Sequence, residues 1–547
     1  MTSEVPRDIR YSLDRFIISG RRVFCWGWAA DRTRAVHELE LHMEGEGWRG
    51  RLPAVIGLGR EDVERTFPGW VNIASSGFVA TGYMPGTRPQ RLAVEIRLAD
   101  DTRVAIDVSE VVRKANGERP QRRQLAWLLG SVWRRIRQGD LKGIIQRARA
   151  QNYGAASLDE RGISRSVLPL VSGYPVSVVF DHNMGGGANH YRRRIVAERL
   201  AEGNAVAQCT YNLPTLDYRL TIFRPDAGEV VFRIPRFVLL ERLLEAADVR
   251  ELFLNSPVSF DEPLLLAEWL ARMRRQYPRI RLTVTAHDYL AVCPSFVLLN
   301  ADGRYCGIPD VAECASCMQR HRASFVALSP RSPIGPWRAL WGDCLQAADE
   351  VRCFSESTVR HLVRAYPGLP RERLQVVPHE QDFVPSRLPR VRRDGELVIG
   401  VMGQISLQKG ANVVRDLVEL IESERHNARV VVIGTLDVAM ESHRLRVTGS
   451  YSREQLVDLV EAHGVNVFLF PSIWPETFSY VVSEMMALDM PVVAFDLGAP
   501  ADRLRGYAKA RLCEEVSAQA ALDTLLDVHD GLKKAPWPLR AANDSGQ

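Results

Sequence analysis

The sequence has no apolar run long enough to cross a membrane, since a spanning helix needs roughly 18 such residues. Its first residues, MTSEVPRDIRYSLDRF, also lack the apolar core of a signal peptide. The nine cysteines are an odd number in a chain of 547 residues, which favours reduced thiols over a disulfide framework. These absences predict a cytoplasmic protein.

The chain also lacks a large excess of either charge, because 71 Lys and Arg residues are nearly balanced by 66 Asp and Glu residues, which leaves a net charge of +5. The excess is concentrated in residues 113–150, which hold eleven basic and two acidic side chains. Since the rest of the chain is slightly acidic, we expect no nucleic-acid partner.

Residues 1–112 are predicted to form a small antiparallel β-sandwich. Apolar residues recur at every second position, as in Leu39, Leu41 and Met43, which places them on one face of a strand. Trp26 and Trp28 could bind carbohydrate, but the alternation favours the interpretation that both belong to the core.

Residues 113–165 are predicted to form a helical linker. Leu125, Leu128 and Val132 recur at helical spacing among arginines, which indicates a basic amphipathic helix. Two interpretations stay open: the helix packs on a neighbouring domain, or it contacts an anionic membrane surface through 113–150.

Two α/β domains are predicted next, at 166–385 and 386–531, followed by a tail at 532–547. Their short apolar runs are continuous rather than alternating, as in parallel sheets covered on both faces. The runs are PVSVVF, ELFLN, RLTVTA, EVRCF and LQVVP, then LVIGVMG, ARVVVIG, LRVTG, VNVFLF and PVVAF. The predicted fold class is α/β, with two facing Rossmann-like domains and a ligand between the carboxyl ends of their strands.

A glycine turn, HNMGGGANHY, follows the strand PVSVVF. Gly186 and Gly187 let the backbone approach a ligand closely, and the next helix offers unpaired amides to a diphosphate or another anion. Asp181 and His182 lie beside this turn and are candidates for the acceptor side. A dinucleotide oxidoreductase uses a similar turn, but the spacing here is not G-x-G-x-x-G.

The pair Glu476 and Glu484 is the strongest functional signal. Glu476 follows the strand VNVFLF and Glu484 lies in the next helix, so one carboxylate could reach a transferred sugar and the other a ribose. The loop amides of Thr477, Phe478 and Ser479 lie between them. Glutamates at this spacing usually lie on a solvated helix face, but the prolines and glycine at the neighbouring strand ends favour the functional interpretation.

With these motifs, residues 175–510 resemble the retaining glycosyltransferase family 4, which has the GT-B architecture of two facing Rossmann-like domains. The resemblance depends on the E-x7-E pair, the glycine turn, and the segments MGQISLQKG and VVPHEQDF. The string PSIWPETFSY is particularly similar to members that build bacterial surface polysaccharide such as O-antigen.

The resemblance implies roles for individual residues. Gly403 and Lys409 are expected at the donor diphosphate. Glu484 is expected at the ribose and Glu476 at the donor sugar. His287, just past the strand RLTVTA, is expected at the donor sugar or the reacting centre; the alternative is a histidine satisfied by local backbone hydrogen bonds.

Two further expectations concern Asp288, which also lies just past the strand RLTVTA, and Gln404. Asp288 is assigned to the acceptor side. Gln404 stands where family members often have an arginine, so part of the expected positive charge is missing. Arg444, Arg446 or an arginine of the first α/β domain could supply it.

Four of the nine cysteines cluster in one segment, and a structural zinc site is one interpretation of them. Four thiols ending in a C-x2-C spacing suit tetrahedral zinc, while labile disulfides or four free thiols are the alternatives. The cluster consists of Cys293, Cys306, Cys314 and Cys317. The other five cysteines lie in apolar runs and are predicted to be core residues.

The function expected from these features is transfer of a sugar, with retention of configuration, from a nucleotide-diphosphate donor to a growing bacterial surface glycan. The acceptor is expected to be lipid-linked, at the inner face of the cytoplasmic membrane. No catalytic metal is expected, because Lys409 and helix-end amides neutralise the diphosphate. The alternatives are an NAD-dependent oxidoreductase and a catalytically dead relative that binds carbohydrate or acts as a scaffold.

Overall fold

The computed structural model describes residues 8–534 except 20, 59, 65, 68, 74–75, 87–88, 111–156, 184–185, 213–215, 322–332, 381–382, 392–394, 439, 441 and 450. The strands form one antiparallel sheet near the N-terminus and two sheets of α/β type. The predicted fold class is confirmed.

The N-terminal domain is a single antiparallel sheet bent around one core. Its elements are β1 (Ile9–Ser19), β2 (Arg22–Asp31), β3 (Val36–Gly45), β4 (Trp48–Leu58), α1 (Glu61–Glu64), β5 (Gly77–Tyr83), β6 (Arg91–Leu98) and β7 (Arg103–Asp107). The strand order is β1-β2-β5-β4-β3-β6-β7. The first part of β4 pairs with β3 and its second part with β5, so this strand joins the two halves that the sequence suggested as a sandwich.

The interpretation of Trp26 as a core residue is wrong. Its side chain is 44% exposed, whereas the neighbouring Cys25 is fully buried. Trp28 is half-buried against Phe67, with ring centroids 5.6 Å apart. Alternation shows which residues share a face of a strand, but not which face is covered.

Most of the predicted amphipathic linker helix, within 111–156, lies outside the described residues. The part that follows is helical and comprises α2 (Glu160–Gly162), a π-helical turn (Ile163–Val167) and α3 (Leu168–Val171). Ile163 and Val167 are fully buried in the core of the first α/β domain. This end of the linker therefore docks on that domain.

The described residues of the first α/β domain form eight strands and six α-helices. The strands are β8 (Val176–Asp181), β9 (Ala205–Asn212), β10 (Asp217–Arg224), β11 (Ala227–Ile234), β12 (Val249–Ser256), β13 (Arg281–Thr285), β14 (Glu350–Cys353) and β15 (Leu374–Val376). The helices are α4 (Gly186–Ala201), α5 (Glu241–Ala246), α6 (Pro263–Gln276), α7 (Val311–Arg320), α8 (Ile334–Ala347) and α9 (Glu356–Ala365). The strand order is β11-β10-β9-β8-β12-β13-β14-β15.

The prediction of a parallel sheet holds for six of these strands and is wrong at one edge. β8, β9 and β12 to β15 pair in parallel, whereas β10 and β11 form an antiparallel hairpin beside β9. β9 thus leads into a hairpin rather than into a crossover helix.

The second α/β domain has the strand order of a Rossmann fold. Its strands are β16 (Leu397–Ile405), β17 (Ala428–Leu436), β18 (Leu445–Val447), β19 (Val467–Phe470), β20 (Val492–Phe495) and β21 (Ala510–Cys513). Its helices are α10 (Ala411–Ser423), α11 (Leu456–His463), α12 (Tyr480–Ala487), α13 (Gly498–Leu504) and α14 (Ala518–Lys534). All pairs are parallel, in the order β18-β17-β16-β19-β20-β21, which is the 3-2-1-4-5-6 arrangement.

These topologies locate the site. The order reverses beside β8 in the first α/β domain and beside β16 in the second, and ligands bind outside the carboxyl ends of strands at such points. α14 runs to Lys534, so it includes three residues that the sequence assigned to a tail. Among the described residues, we find no helix with the length and apolarity that a membrane span requires.

Candidate active site

Lys409 and Glu476 follow the carboxyl ends of two neighbouring strands. Lys409 ends the 3-10 turn Leu407–Lys409 after β16, and Glu476 lies in the loop after β19, which is hydrogen-bonded to β16. Burial raises the pKa of the Glu476 carboxyl, and the charge of Lys409 partly opposes that rise. The structure therefore brings together an ammonium group and a buried carboxyl that the sequence places 67 positions apart.

The loop that carries Glu476 contains two buried polar atoms without a hydrogen-bond partner among the described residues. They are the acceptor Glu476 Oε1 and the donor Trp474 Nε1. Each such atom costs about 1–3 kcal/mol when unsatisfied, so a pair in one loop is typical of a site that a polar ligand completes.

Two glycines allow the backbones around this loop to meet. A Cβ on Gly410 would lie 2.0 Å from the carbonyl oxygen of Pro471, and one on Gly498 would lie 2.6 Å from the Pro475 backbone. Both glycines have positive φ, +87° and +66°. Gly410 thereby holds the turn of Lys409 against the loop of Glu476.

Glu484 is 5% exposed, which rules out the solvated helix face that its spacing alone suggested. It lies in α12, and its Oε1 accepts a hydrogen bond from Arg453 Nε at 2.7 Å. Ser479 caps the N-terminus of the same helix by accepting from the Val482 amide. Arg453 is a site residue that the sequence did not indicate.

Two hydrogen bonds across the domain interface flank Glu476, and we call them the Glu476 clamp. The Tyr289 hydroxyl donates to the Pro475 carbonyl at 2.9 Å, and the Thr477 hydroxyl donates to the His287 carbonyl at 2.8 Å. Both partners from the first α/β domain lie in the loop after β13. The position of Glu476 therefore depends on contact between the domains.

The clamp continues into the cysteine-containing segment. Tyr289 Oη is 3.2 Å from His361 Nδ1, and Tyr305 Oη is 2.6 Å from His361 Nε2. Because Tyr289 gives its proton to Pro475, His361 Nδ1–H donates to Tyr289 and Nε2 accepts from Tyr305. Tyr305 precedes Cys306, so this segment supports the loop of Glu476.

Aromatic rings line the interface where β13, β14 and β15 end. His287 stacks on Phe354 with centroids 4.4 Å apart, and Phe354 stacks on His379 at 4.1 Å. Phe478 and Tyr480 of the second α/β domain approach His379 to 4.6 and 5.3 Å. His379 belongs to the VVPHEQDF segment, yet sequence reasoning gave it no role.

Both histidines of this cluster are neutral near pH 7. Burial lowers the pKa of His287 well below its ordinary value, helped by His379, and burial with the nearby Arg194 lowers that of His379 to about 3. Asn255 Nδ2 donates to the Ala188 carbonyl at 2.9 Å, so its Oδ1 accepts from His287 Nε2–H, also at 2.9 Å. The His287 ring is thus held by a side chain rather than by local backbone, and its Nδ1 carries the lone pair.

The predicted acceptor-side residues lie at the ends of β8 and β13, where Asp181 and His182 are buried and Asp288 is half-buried. Asp181 accepts from Asn189 Nδ2 at 2.8 Å and from Arg192 Nη1 at 2.9 Å, and burial raises its pKa to about 6. Burial lowers the pKa of His182 to about 4. Asp288 accepts from the Ser256 hydroxyl and the Leu290 amide, so both of its oxygens shape the loop.

The glycines assigned to the donor site either have a positive φ or are closely approached by other residues. Gly186 has φ +82° at the start of α4, and a Cβ on Gly187 would lie 3.2 Å from the Tyr480 ring. Gly403 has φ +106°, and its carbonyl oxygen would be 2.0 Å from a Cβ on Gly434. The glycine turn of the first α/β domain thus faces the second.

Arg444 does not replace the charge that Gln404 lacks. Arg444 pairs with Glu396 at 3.5 Å, at the amino-terminal edge of the sheet. Burial and the charge of Arg446 lower the pKa of His463 at that same edge. Arg503 lies nearer the site. Its Nη1 donates to Ser483 Oγ at 2.6 Å, and its guanidinium carbon is 5.6 Å from the Phe478 ring centroid.

The four clustered thiols do not form a preassembled ligand set. Among the described residues, no group of three or more His, Cys, Asp or Glu side chains is placed to hold a metal ion. Cys314 contacts the Pro309 carbonyl and accepts from Arg338, while Cys317 accepts from the Ala301 amide. The other five cysteines are buried, as predicted: Cys25, Cys209, Cys344, Cys353 and Cys513.

Structural zinc stays a prediction, and metal analysis tests it. If the thiols rearrange around zinc, protein purified without chelators should contain about one equivalent, and the Cys314→Ser/Cys317→Ser variant should contain none. Metal-free wild-type protein would leave four thiols or a labile disulfide.

Fold and site together define a protein in which two α/β domains follow an antiparallel sheet domain, with a polar, partly unsatisfied site between the two α/β domains. Residues 387–535 match the family model for glycosyl transferases group 1, so the second α/β domain is a group 1 glycosyltransferase domain. No curated protein sequence matches the chain.

The chain is similar, at low identity, to several solved glycosyltransferase structures. Anabaena HepE in complex with UDP and glucose is 14% identical, with a TM-score of 0.38 over 65% of this chain and 89% of that chain. The lipopolysaccharide outer core galactosyltransferase WaaB, in its apo form, is 11% identical, with a TM-score of 0.40 over 65% and 90%. The catalytic domain of starch synthase IV from Arabidopsis thaliana, bound to ADP and acarbose, is 12% identical, with a TM-score of 0.40 over 67% and 93%.

Proposed function

We propose that the chain is a retaining glycosyltransferase that moves a sugar from a nucleoside diphosphate donor to a growing, lipid-linked bacterial surface glycan. The observation that carries this proposal is Lys409 beside the buried Glu476, whose Oε1 has no partner among the described residues, within a group 1 glycosyltransferase domain.

The second α/β domain holds the donor in this proposal. Lys409 stabilises the diphosphate, which gains negative charge as the glycosidic bond breaks. Glu484, oriented by Arg453, accepts from the ribose hydroxyls. Glu476 accepts from a hydroxyl of the donor sugar, which would satisfy its buried Oε1.

Arg503 provides a second positive charge in place of the arginine that Gln404 replaces. It lies beside Ser483 and Phe478, next to both members of the glutamate pair. No ion pair joins Arg503 to a carboxylate among the residues that the structure describes. Its charge is therefore available to a diphosphate.

The first α/β domain contributes neutral groups to the reacting centre. A sugar that loses its leaving group develops positive charge, which a cationic histidine would oppose. The low pKa values of His287 and His379 keep both rings uncharged, and His287 Nδ1 can accept from a sugar hydroxyl. Front-face displacement with retention then needs positioning and stabilisation of the diphosphate rather than a strong base.

The acceptor enters from the first α/β domain, near Asp181 and His182. A lipid-linked acceptor would be held at the inner face of the cytoplasmic membrane. Contact with that anionic surface through 113–150 is part of the proposal, although this segment lies outside the described residues.

A thermal-shift series with UDP-, GDP-, dTDP- and CMP-sugars tests the function. We expect the sugars of one nucleoside diphosphate, UDP, GDP or dTDP, to raise Tm. A ligand at a hundredfold excess over its Kd stabilises the folded state by about 2.7 kcal/mol. The rise should be lost in Lys409→Ala and kept in Lys533→Ala, whose lysine pairs with Asp530 on the surface of α14.

Two results would argue against the proposal. If no nucleotide sugar raises Tm, the donor assignment fails. If a donor binds but no nucleoside diphosphate is released with any glycan acceptor, a carbohydrate-binding relative without catalysis is favoured.

A further inference from the structure

Apart from the candidate active site, the first α/β domain contains a cavity between α4 and the strands β9 and β10. Its volume is about 420 Å³, in the range of small-molecule sites. Asn183, beside the candidate acceptor residues, lines one end, and Leu200 and Phe223 line the other. The cavity therefore extends outward from the acceptor side of the site.

Apart from Phe223, the residues of β9 and β10 that line this cavity are polar. Along β9 and β10, Ala207, Cys209, Leu220 and Ile222 enter the hydrophobic core. The alternate residues Gln208, Thr210, Arg219 and Thr221 line the cavity instead. Both threonines are only 2% exposed, so their hydroxyl groups are buried beside the cavity, where a polar group needs a hydrogen-bond partner.

Three guanidinium groups converge on the cavity, and one carboxylate lines it. They belong to Arg192, Arg193 and Arg219, while the carboxylate of Glu229 belongs to an exposed residue. Burial and the charges of Arg193 and Arg219 lower the pKa of Arg192, although its contact with Asp181 opposes this. Like charges crowded in this way repel one another, and an anion between them relieves the repulsion.

Three of the four arginines of α4 pair with a carboxylate, including Arg192 of the cavity, whose Nη1 is 2.9 Å from Asp181. Arg199 pairs with Glu251 at 2.8 Å, and Arg194 pairs with Glu198 at 3.2 Å. By contrast, Arg193 has no ion pair with a described residue. Arg192 is 8% exposed, and its Nε has no hydrogen-bond partner within the described part of the chain. The cavity thus contains guanidinium groups that can still donate hydrogen bonds.

We infer that this cavity binds an anionic group, a phosphate or a carboxylate, carried by the acceptor glycan. Guanidinium groups bind both oxyanions in a bidentate manner, and the threonine and glutamine side chains complete a polar wall. The donor diphosphate is assigned to Lys409 in the other domain, so an anion here belongs to the second substrate. This inference rests on the proposed function, and it names the acceptor as acidic.

The test is binding of small anions at constant ionic strength in Lys409→Ala protein, where the donor site is weakened. Inorganic phosphate and glucuronate should raise Tm, and neutral glucose should not. The double change Arg193→Gln/Arg219→Gln should weaken anion binding at least tenfold. The matched control Arg242→Gln/Arg250→Gln removes the same charge from exposed arginines paired with Glu245 and Asp248, and it should bind anions as before.

Each outcome decides the inference. Equal anion binding in the cavity variant and the matched control would overturn the inference. It would also be overturned if neither phosphate nor glucuronate raised Tm. A response to phosphate alone identifies a phosphorylated acceptor, and a response to glucuronate alone identifies a uronic acid. Nucleotide-sugar binding in otherwise wild-type protein should survive Arg193→Gln/Arg219→Gln, so failure of the donor assignment would be recognised separately.

Discussion

Replacing Lys409 by alanine should lower kcat/KM at least tenfold, which corresponds to about 1.4 kcal/mol or more of lost transition-state stabilisation. The ammonium group lies at the carboxyl end of β16, and Gly410 holds its turn against Pro471. Because the ammonium group is proposed to contact the diphosphate both before and during its departure, the loss should appear as a higher donor KM and a lower kcat. The measurement is release of nucleoside diphosphate from the donor identified by thermal shift.

The Lys409 experiment has two controls. Lys409→Arg keeps the charge and should retain part of the activity, while Lys533→Ala should behave as wild type. Normal turnover of folded Lys409→Ala protein would remove Lys409 from the site. Glu484→Ala should also lose at least tenfold, but chiefly through a higher donor KM, because its proposed contact is with the ribose.

The elements that the sequence predicted best are those whose signal is local. Each continuous apolar run marked a strand, and most of these strands are buried, although β18 is largely exposed. Glu476 and Glu484 are separated by one loop and one turn of helix. β9, β10 and β11 were missed because residues such as Gln208, Arg219 and Thr221 interrupt the apolar pattern on one face. That face lines the cavity between these strands and α4, so it did not need to be apolar.

The contacts that complete the site depend on residues far apart in the chain. Tyr289 bonds to Pro475 across 186 positions, and Thr477 bonds to His287 across 190. No spacing rule identifies such partners, since they meet only when both sheets have formed and the domains are in contact. Arg503 was missed because its contacts within the second α/β domain, Ser483 and Phe478, are distant in the chain, although the quoted string GAPADR contains it.

Removing the Glu476 clamp with Tyr289→Phe/Thr477→Val should lower kcat by about tenfold or more. Each lost hydrogen bond contributes about 0.5–1.5 kcal/mol. Both losses affect the position of the same carboxylate, that of Glu476. The donor KM should change little, since the proposed diphosphate and ribose contacts lie at Lys409 and Glu484. Steady-state kinetics with varied donor separates the two parameters.

Two control variants distinguish a positioning role of the clamp from a general loss of stability. Thr477→Ser keeps the hydroxyl and should restore most of the kcat lost in Thr477→Val. Tyr507→Phe removes a tyrosine hydroxyl that donates to Met490 at 2.9 Å within the second α/β domain, so it should lower Tm without the same loss of kcat. If Tyr289→Phe/Thr477→Val keeps wild-type kcat, or if Tyr507→Phe lowers kcat equally, the clamp does not position Glu476.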